Sequence, residues 1–321
     1  MAINEMAHLA VPWTSKKHRT CMNPLQPSTL FSLLEALKPL TDLYPTRQPA
    51  NPLDGWSLKG RNPETIRQIM PLLGWLYEHY YQVTTDGWQH IPTDEPIMLV
   101  GSHNGGIPAP DMHMMLYDWF RRFGPEKPLY GLMHPSVWKA FPSVAHLAVQ
   151  MGGVQAHPRM AIAALNRQAN IGVYPGGAQD VFRPYAMRHK IYFHNRKGFI
   201  KLALKKAVPI VPMISVGAHS TLMVLADIYP QVQQLHEKGL PWFLGIDPEV
   251  FPIYLGLPWG ISLGPLPNIP LPLKIHTRVC APIRFERSGA AAIRDKAYVD
   301  ECYEQVQSYM QKELDALVAV H

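Results

Sequence analysis

The stretch that decides the fold reads Pro96-Ile97-Met98-Leu99-Val100, then Gly101-Ser102-His103-Asn104-Gly105-Gly106, then Ile107-Pro108-Ala109-Pro110-Asp111. The apolar run 97–100 is bounded by turn formers, which predicts a short buried strand. Glycines and prolines forbid regular structure in the loop that follows. Asp111 stands near the N-cap of the next predicted helix. The pattern therefore places a histidine at the carboxyl end of a strand and a carboxylate at the start of a helix.

His103 and Asp111 form a candidate catalytic pair. A short loop can bring them together, and a histidine held by a carboxylate is a usual device for removing a proton from a hydroxyl group. Asp118, one heptad further along the same predicted helix, is the fallback partner. Each residue also has a structural explanation, because the histidine could be a hydrogen-bonded loop residue and Asp111 could simply cap its helix.

Composition limits the class of protein. The chain has 321 residues, of which 47% are hydrophobic and only 17% are charged, which is ample for a core and low for a freely soluble protein. A formal net charge of +6 favours acidic partners such as CoA phosphates, anionic lipid or nucleic acid. Cys21, Cys280 and Cys302 fit no metal spacing and indicate a reducing compartment. No apolar run approaches the ~18 residues of a spanning helix.

Strands and helices alternate along most of the chain. Residues 1–62 are predicted to be an irregular, proline-rich extension with one short helix from Ser28 to Pro39, and residues 63–321 to form the main domain. Strands are predicted at 129–134, 171–174 and 208–216, and helices at 137–150, 159–169, 198–206 and from 290 to the C-terminus. This alternation predicts an α/β fold with a mixed, largely parallel central sheet flanked by helices, preceded by an N-terminal helical extension.

Residues 239–273 differ from the rest because prolines, glycines and large apolar side chains dominate them. They are predicted to form a long apolar loop region, which either packs over the sheet or exposes apolar surface to a membrane or acyl chain. Within it, Gly260-Ile261-Ser262-Leu263-Gly264 spells the nucleophile-elbow pattern of serine hydrolases. That pattern requires a helix after the serine, and the following prolines exclude one.

A second motif, Tyr174-Pro175-Gly176-Gly177-Ala178-Gln179-Asp180-Val181-Phe182-Arg183-Pro184, follows a predicted strand. Gly176 and Gly177 let backbone N–H groups approach a ligand closely. No acidic residue occurs from 181 to 226, whereas the first part of that range is rich in Lys and Arg. A solvated basic face is the simplest explanation, but the missing acids favour an anionic partner such as CoA or lipid headgroups over nucleic acid.

Together these motifs resemble the ordered signatures of the glycerolipid acyltransferases, and the closer likeness is to the diacylglycerol acyltransferase-like bacterial branch. The common first signature has His, four residues and Asp, and Pro108 stands where that Asp would be. Asp111 follows seven intervening residues, as in the Gly-Gly branch. The block 174–184 is similar to the third signature, and Val208-Pro209-Ile210-Val211-Pro212 is similar to the fourth.

The resemblance implies a fold like that of the glycerol-phosphate acyltransferases and an O-acyltransferase that moves a fatty acyl group from a thioester to a lipid hydroxyl. His103 would be the general base, with Asp111 orienting and stabilising its imidazolium. Backbone groups near Gly176 and Gly177, with Gln179, would bind the oxyanion or the acceptor. Acyl-CoA or acyl carrier protein would be a co-substrate, and no metal or other cofactor is expected. The enzyme would be peripheral, at the cytoplasmic face of a membrane.

The acceptor is predicted from two positions at which this sequence differs from the lysophosphatidate-type branch of the family. In the lysophosphatidate-type branch a Glu and a phosphate-binding Arg occupy the positions of Gly176 and Gln179. A neutral amide cannot replace a bidentate Arg on phosphate at equal strength. A neutral acceptor such as diacylglycerol or a long-chain alcohol is therefore favoured, with lysophosphatidate or a lysophospholipid as the alternative if Arg183 supplies the charge. The predicted contacts with donor phosphates or anionic lipid are Arg183, Lys190, Arg196 and Lys197. A serine hydrolase and a non-catalytic lipid-binding protein are the remaining alternatives.

Overall fold

The structure is a computed structural model that describes residues 27–39, 53–242 and 245–321. Its strands, in chain order, are β1 (Thr84–Asp86), β2 (Met98–Gly101), β3 (Leu129–Met133), β4 (Gly153–Gln155), β5 (Asn170–Val173), β6 (Ile210–Val216), β7 (Met223–Asp227), β8 (Pro252–Gly256), β9 (Gly260–Leu263) and β10 (His276–Val279). Its α-helices are α1 (Pro27–Leu37), α2 (Pro63–Trp75), α3 (Pro110–Phe123), α4 (Ser136–Ala140), α5 (Pro142–Gln150), α6 (Pro158–Leu165), α7 (Gly177–Val181), α8 (Gly198–Lys206), α9 (Tyr229–Glu237), α10 (Gly289–Arg294) and α11 (Lys296–Val318).

The central sheet has seven strands in the order β1-β10-β6-β2-β5-β3-β4. Strands β2, β3, β4, β5 and β6 are parallel to one another, whereas β10 is antiparallel to β6 and carries β1 at the edge. Helices cover both faces, as parallel strands require. The predicted α/β class, with its mixed and largely parallel sheet, is confirmed.

Strand β2 is buried on both faces, which explains its uninterrupted apolar run. Ile97 and Leu99 lie in a core cluster with residues of α2 and α3, and Met98 and Val100 lie in a second cluster with residues of α6, α8 and α11. Successive side chains of a strand point to opposite faces. The two clusters are therefore the two layers between the sheet and its helices.

The chain reverses its winding direction between β2 and β5, which are neighbours. The connection after β2 passes through α3 on one face of the sheet, whereas the connection after β5 passes through α8 on the other face. Such a switch point leaves a crevice beyond the carboxyl ends of the two strands, where ligands bind in open α/β sheets. The His103 loop and the Gly176-Gly177 turn both emerge at this crevice.

A second sheet, β7-β8-β9, is antiparallel. Its inner residues Val224 and Tyr254 form a small core with Val181, Phe182 and Leu222. The prediction of a long loop over 239–273 is therefore wrong for β8 and β9. These two short strands form a hairpin between proline-rich segments. The region both packs and exposes apolar surface, because one face of this sheet is covered and the other is not.

The short N-terminal helix is present as α1, which contacts α2 through hydrogen bonds from Trp75 Nε1 to Thr29 O (3.1 Å) and Ser32 Oγ (3.0 Å). Residues 53–62, assigned from the sequence to the extension, pack on the main domain. Trp138 Nε1 donates to Leu53 O at 2.9 Å, and Asn62 N donates to Gln150 O at 2.7 Å. The rest of the predicted extension, residues 1–26 and 40–52, lies outside the described residues.

Two predicted helices are divided. The helix predicted for 137–150 is α4 and α5, because Pro142 cannot donate to the preceding turn and starts a new helix instead. The C-terminal helix is α10 and α11, and Asp295 caps α11 by accepting from Tyr298 N at 3.1 Å. Across 27–39, 53–242 and 245–321, none of the helices combines the length and apolar composition needed to cross a bilayer.

Candidate active site

The loop after β2 depends on its two glycines. Gly105 (φ +80°) and Gly106 (φ +74°) adopt the left-handed conformation, which side chains disfavour. A Cβ on Gly105 would lie 2.6 Å from Thr221 Oγ1, and one on Gly106 would lie 2.8 Å from Asn268 Oδ1. The Gly-Gly pair therefore lets this loop pass close beneath the small sheet.

His103 lies at the mouth of the crevice, partly exposed. Its ring is 5.0 Å from the Tyr174 ring, centroid to centroid, at an interplanar angle of 40°. Nδ1 is buried and has no hydrogen-bond partner among the described residues. Burial, with nearby His113 and Arg183, lowers the pKa of His103 to about 4. The imidazole is therefore neutral at pH 7, which is the state that accepts a proton.

Asp111 is buried, and none of the hydrogen bonds among the described residues joins it to His103. Its Oδ2 accepts from Asn104 Nδ2 at 2.7 Å, and its Oδ1 accepts from Met112 N at 2.8 Å. Burial raises the pKa of Asp111 to about 7, although both hydrogen bonds oppose the shift. Asn104 Nδ2 also donates to Ser102 O at 2.9 Å. Asp111 therefore acts on His103 only indirectly. It accepts a hydrogen bond from the Asn104 amide, and that amide also donates to the carbonyl of Ser102, the residue before His103.

Asp118, the fallback partner, has a structural role. Its side chain is fully buried, accepts from Tyr77 Oη at 3.0 Å and pairs with Arg121 and with Arg122 Nε at 3.3 Å. None of these partners belongs to the His103 loop. The network joins α3 to the turn after α2.

Arg183 is enclosed within the site, with 3% of its surface exposed. The guanidinium donates to Asp180 Oδ1 (2.8 Å), His103 O (2.8 Å), Asn104 Oδ1, Met187 O (3.0 Å) and Arg188 O (3.2 Å). Each of its three nitrogens is therefore engaged inside the protein. The prediction that Arg183 binds a donor or acceptor phosphate stays a prediction, and this geometry does not favour it, because the guanidinium already ties two loops together.

Asp180 is a residue of the site to which the sequence analysis gave no role. It is completely buried, accepts from His103 N at 2.5 Å and from Ser102 Oγ at 3.3 Å, and pairs with Arg183. Burial raises the pKa of Asp180 to about 6, against the effect of Arg183. The available signal was an acid three residues before an arginine, directly after the Gly-Gly turn. Asp180 and Arg183 together hold the backbone of His103 from both sides.

The Gly176-Gly177 turn is filled by Arg196. Arg196 Nη1 donates to Gly176 O at 3.0 Å, and Nη2 donates to Gln179 Oε1. A Cβ on Gly177 would lie 2.2 Å from Arg196 Nη1. The Gly177 N–H donates to Tyr174 O at 3.3 Å and closes the turn. This N–H, predicted as an oxyanion donor, is therefore already used.

The four predicted anion-binding cations do not form one patch. Arg183 is buried, and Arg196 pairs with Glu249 at 3.0 Å. Lys197 Nζ pairs with Asp300 at 2.9 Å. Lys190 is exposed. Hydrogen bonding to His134 and the charge of Arg196 lower the pKa of Glu249, so the carboxylate offsets the Arg196 charge.

Two further buried polar residues adjoin the His103 loop. Asn268 is 7% exposed, and neither amide atom has a hydrogen-bond partner among the described residues. His219 Nε2 bonds to Arg183 O at 2.9 Å, while its Nδ1 is unpartnered within the same described part of the chain. Unpaired buried amides are costly and uncommon. Asn268 was not predicted, since its only sequence signal is a polar residue within the uncharged segment 250–273.

A family model described as diacylglycerol acyltransferase matches residues 139–317, more than half of the chain. The chain belongs to the diacylglycerol acyltransferase family. The match includes the Gly176-Gly177 turn, Asp180 and Arg183, and it begins after His103. The predicted acyltransferase family is thereby confirmed.

Relatives of similar sequence occur in mycobacteria. An uncharacterized protein of Mycobacterium tuberculosis is 25% identical over 251 residues, covering 78% of this chain and 66% of the relative. One from Mycobacterium leprae is 24% identical, covering 78% of this chain and 64% of the relative. The chain thus spans less than two thirds of the length of these proteins. The crystal structure of PlsC, a 1-acyl-sn-glycerophosphate acyltransferase from Thermotoga maritima, overlaps 91% of this chain and 92% of its own at 14% identity and a TM-score of 0.47.

Proposed function

We propose that this chain is an O-acyltransferase that moves a fatty acyl group from acyl-CoA to the hydroxyl group of a neutral lipid. The observation that carries the proposal is a neutral, partly exposed His103 at the switch-point crevice, in a chain of the diacylglycerol acyltransferase family. A histidine in this state can take the acceptor's proton without first losing one of its own.

The proposed reaction needs no covalent enzyme intermediate. The acceptor hydroxyl gives its proton to an imidazole nitrogen of His103 while its oxygen attacks the thioester carbonyl carbon. The new C–O bond forms, the tetrahedral intermediate collapses, and the C–S bond breaks. The departing thiolate takes the proton from the imidazolium, which returns His103 to its neutral state.

Asp111 and Asp180 are positioning residues in this proposal. Asp180 accepts from the backbone N–H of His103, and Asp111 acts through Asn104 on the neighbouring carbonyl of Ser102. A fixed loop matters because a general base must lie within hydrogen-bond reach of the proton that it removes. Neither carboxylate is proposed to touch the substrate.

The neutral acceptor is supported by the charges around the Gly176-Gly177 turn. Gln179 is neutral and accepts from Arg196, and Glu249 offsets the Arg196 charge. An acceptor phosphate brought here would have to replace Glu249 or remain uncompensated. Lysophosphatidate is the second candidate, and Arg196 is the residue that would bind its phosphate, because it is 38% exposed while Arg183 is enclosed.

We further propose that the protein works at the cytoplasmic face of a membrane, as a peripheral protein, with acyl-CoA as co-substrate and no metal, nucleic acid or other cofactor. Acyl carrier protein is the alternative donor. The serine hydrolase alternative loses its support, since Ser262 lies buried in β9 and the described chain runs from that strand to β10 without a helix. A non-catalytic lipid-binding protein would bind lipid and yield no product.

The test is to incubate purified protein with labelled acyl-CoA and separately with diacylglycerol, a long-chain alcohol and lysophosphatidate. Products are identified by mass spectrometry. We expect an acylated neutral lipid from the wild type and a rate lower by about 10²–10⁴-fold from His103→Ala. Absence of acylated product from every acceptor, or equal turnover by the variant, would contradict the proposal.

A further inference from the structure

The outer face of the small sheet is apolar and uncovered. It comprises Leu255, Leu257, Trp259, Ile261 and Leu263, whose exposed fractions run from 45% to 75%. Leu255 pairs with Ile261 across the hairpin, so that these side chains share one face. Contiguous apolar patches of this kind mark sites of protein or membrane contact.

The chain segment around this face carries no charge. No Asp, Glu, Lys or Arg occurs from Val250 to Leu273. Leu257 bridges to Ile269, which is 52% exposed and extends the face beyond the hairpin. Trp259 is at the hairpin tip, and its Nε1 donates to Pro267 O at 2.8 Å. Tryptophan is enriched at the boundary between headgroups and hydrocarbon.

The charges at the two ends of the sheet differ. Asp227, Asp247 and Glu249 gather where β8 begins, since Phe251 N donates to Asp227 at 2.7 Å and Glu249 N donates to Asp247 at 2.9 Å. At the hairpin end, Leu271 N bonds to Thr221 O at 2.9 Å just before β7, and the exposed Lys274 follows shortly after. An anionic bilayer would thus meet the uncharged tip and a cation, while the acids lie at the opposite end of the sheet.

The opposite face of the same sheet adjoins the candidate active site. Tyr254 and Val224 pack with Phe182, and Ile107 of the His103 loop packs against this cluster. A single sheet layer, about 10 Å thick, therefore separates the outer face from the loop.

We propose that the outer face docks onto a lipid bilayer, with Trp259 at the level of the headgroups. The docked orientation leaves only this sheet layer between the His103 loop and the membrane surface. This surface is distinct from the basic stretch 183–206, whose arginines 183 and 196 are bound within the protein. The proposal does not depend on acyl transfer.

The experiment is flotation of the full chain with vesicles of phosphatidylcholine and phosphatidylglycerol, without substrate. Ile261→Lys places a charge on the most exposed apolar side chain of the face, at 75% exposure. Val144→Lys is the matched control, because Val144 is 59% exposed on α5, outside the small sheet. Losing the burial of one Ile corresponds to about 10–100-fold weaker vesicle binding. We expect that loss for Ile261→Lys and none for Val144→Lys.

A second measurement works with a variant that retains the apolar character of the face. Brominated lipids should quench tryptophan fluorescence of the wild type on vesicles, and Trp259→Phe should lose that part of the quenching while still binding. Thermal melts establish that each variant is folded. Wild type that stays off vesicles, Ile261→Lys that binds as wild type does, or a dimer that Ile261→Lys converts to monomer without vesicle binding would overturn the proposal. The last result would assign the face to a second copy of the chain.

Discussion

Arg183→Ala separates a phosphate-binding role from a structural one. The Asp180–Arg183 pair is buried on both sides, with side-chain exposures of 0% and 2%. Removing one partner of a buried ion pair costs about 3–5 kcal/mol, because the other charge stays buried without compensation. At about 2–4 °C per kcal/mol, the melting temperature should fall by on the order of 10 °C.

Activity should fall with every acceptor, since the carbonyl of His103 and Asn104 Oδ1 both lose the donor that fixes them. The assay compares wild type, Arg183→Ala and Arg183→Lys in thermal melts and in acyl transfer to diacylglycerol and lysophosphatidate. Lysine should not rescue, because one ammonium cannot reproduce the fork of a guanidinium. Arg167→Ala, at an exposed position after α6, is the control.

A stable Arg183→Ala protein that loses activity only with lysophosphatidate would refute this reasoning. That result would place the guanidinium on the acceptor phosphate and restore the role predicted from the sequence. An equal loss with both acceptors and a lower melting temperature would support the structural role.

Three further variants test the rest of the site. His103→Ala should lower turnover by about 10²–10⁴-fold in acyl-transfer assays at an unchanged melting temperature, and a large melting shift would instead indicate a structural residue. Burial raises the pKa of Asp111 to about 7, above its unfolded value near 4, so wild-type stability is present at low pH and lost as pH rises through 7. The Asn side chain of Asp111→Asn does not titrate, so the melting temperature of this variant relative to wild type should rise between pH 4 and 8. A difference in melting temperature that stays the same over this range would contradict the shifted pKa of Asp111. Asn268→Leu should keep or raise the melting temperature, because an unpaired buried amide is removed; a lower melting temperature would indicate that the amide has a stabilising partner.

The central sheet could be predicted because its strands are short apolar runs bounded by turn formers. The positions of His103 and the Gly176-Gly177 turn followed from the ends of those strands. The Asp180–Arg183 pair and its bonds to the His103 loop could not be predicted, because they join positions almost eighty residues apart and depend on burial. The spacing in the sequence placed Asp111 near His103. It did not reveal that the Asp111 carboxylate would accept a hydrogen bond from Asn104 instead.

Burial of the site gives a stronger reason for a neutral acceptor than the missing arginine at position 179. Among the described residues, the enclosed charges beside the His103 loop are one guanidinium, Arg183, and two carboxyl groups, Asp111 and Asp180. Burial raises the pKa of Asp111 to about 7 and that of Asp180 to about 6. Near neutral pH the positive charge of Arg183 is thus already balanced by the negative charge of Asp180 and by part of the charge on Asp111. An acceptor phosphate in the same crevice would add charge with no cation left to balance it, and its desolvation would oppose binding. A hydroxyl on an uncharged lipid incurs no such cost. The burial that lowers the pKa of His103 also keeps its imidazole in the neutral form that accepts the proton of the hydroxyl.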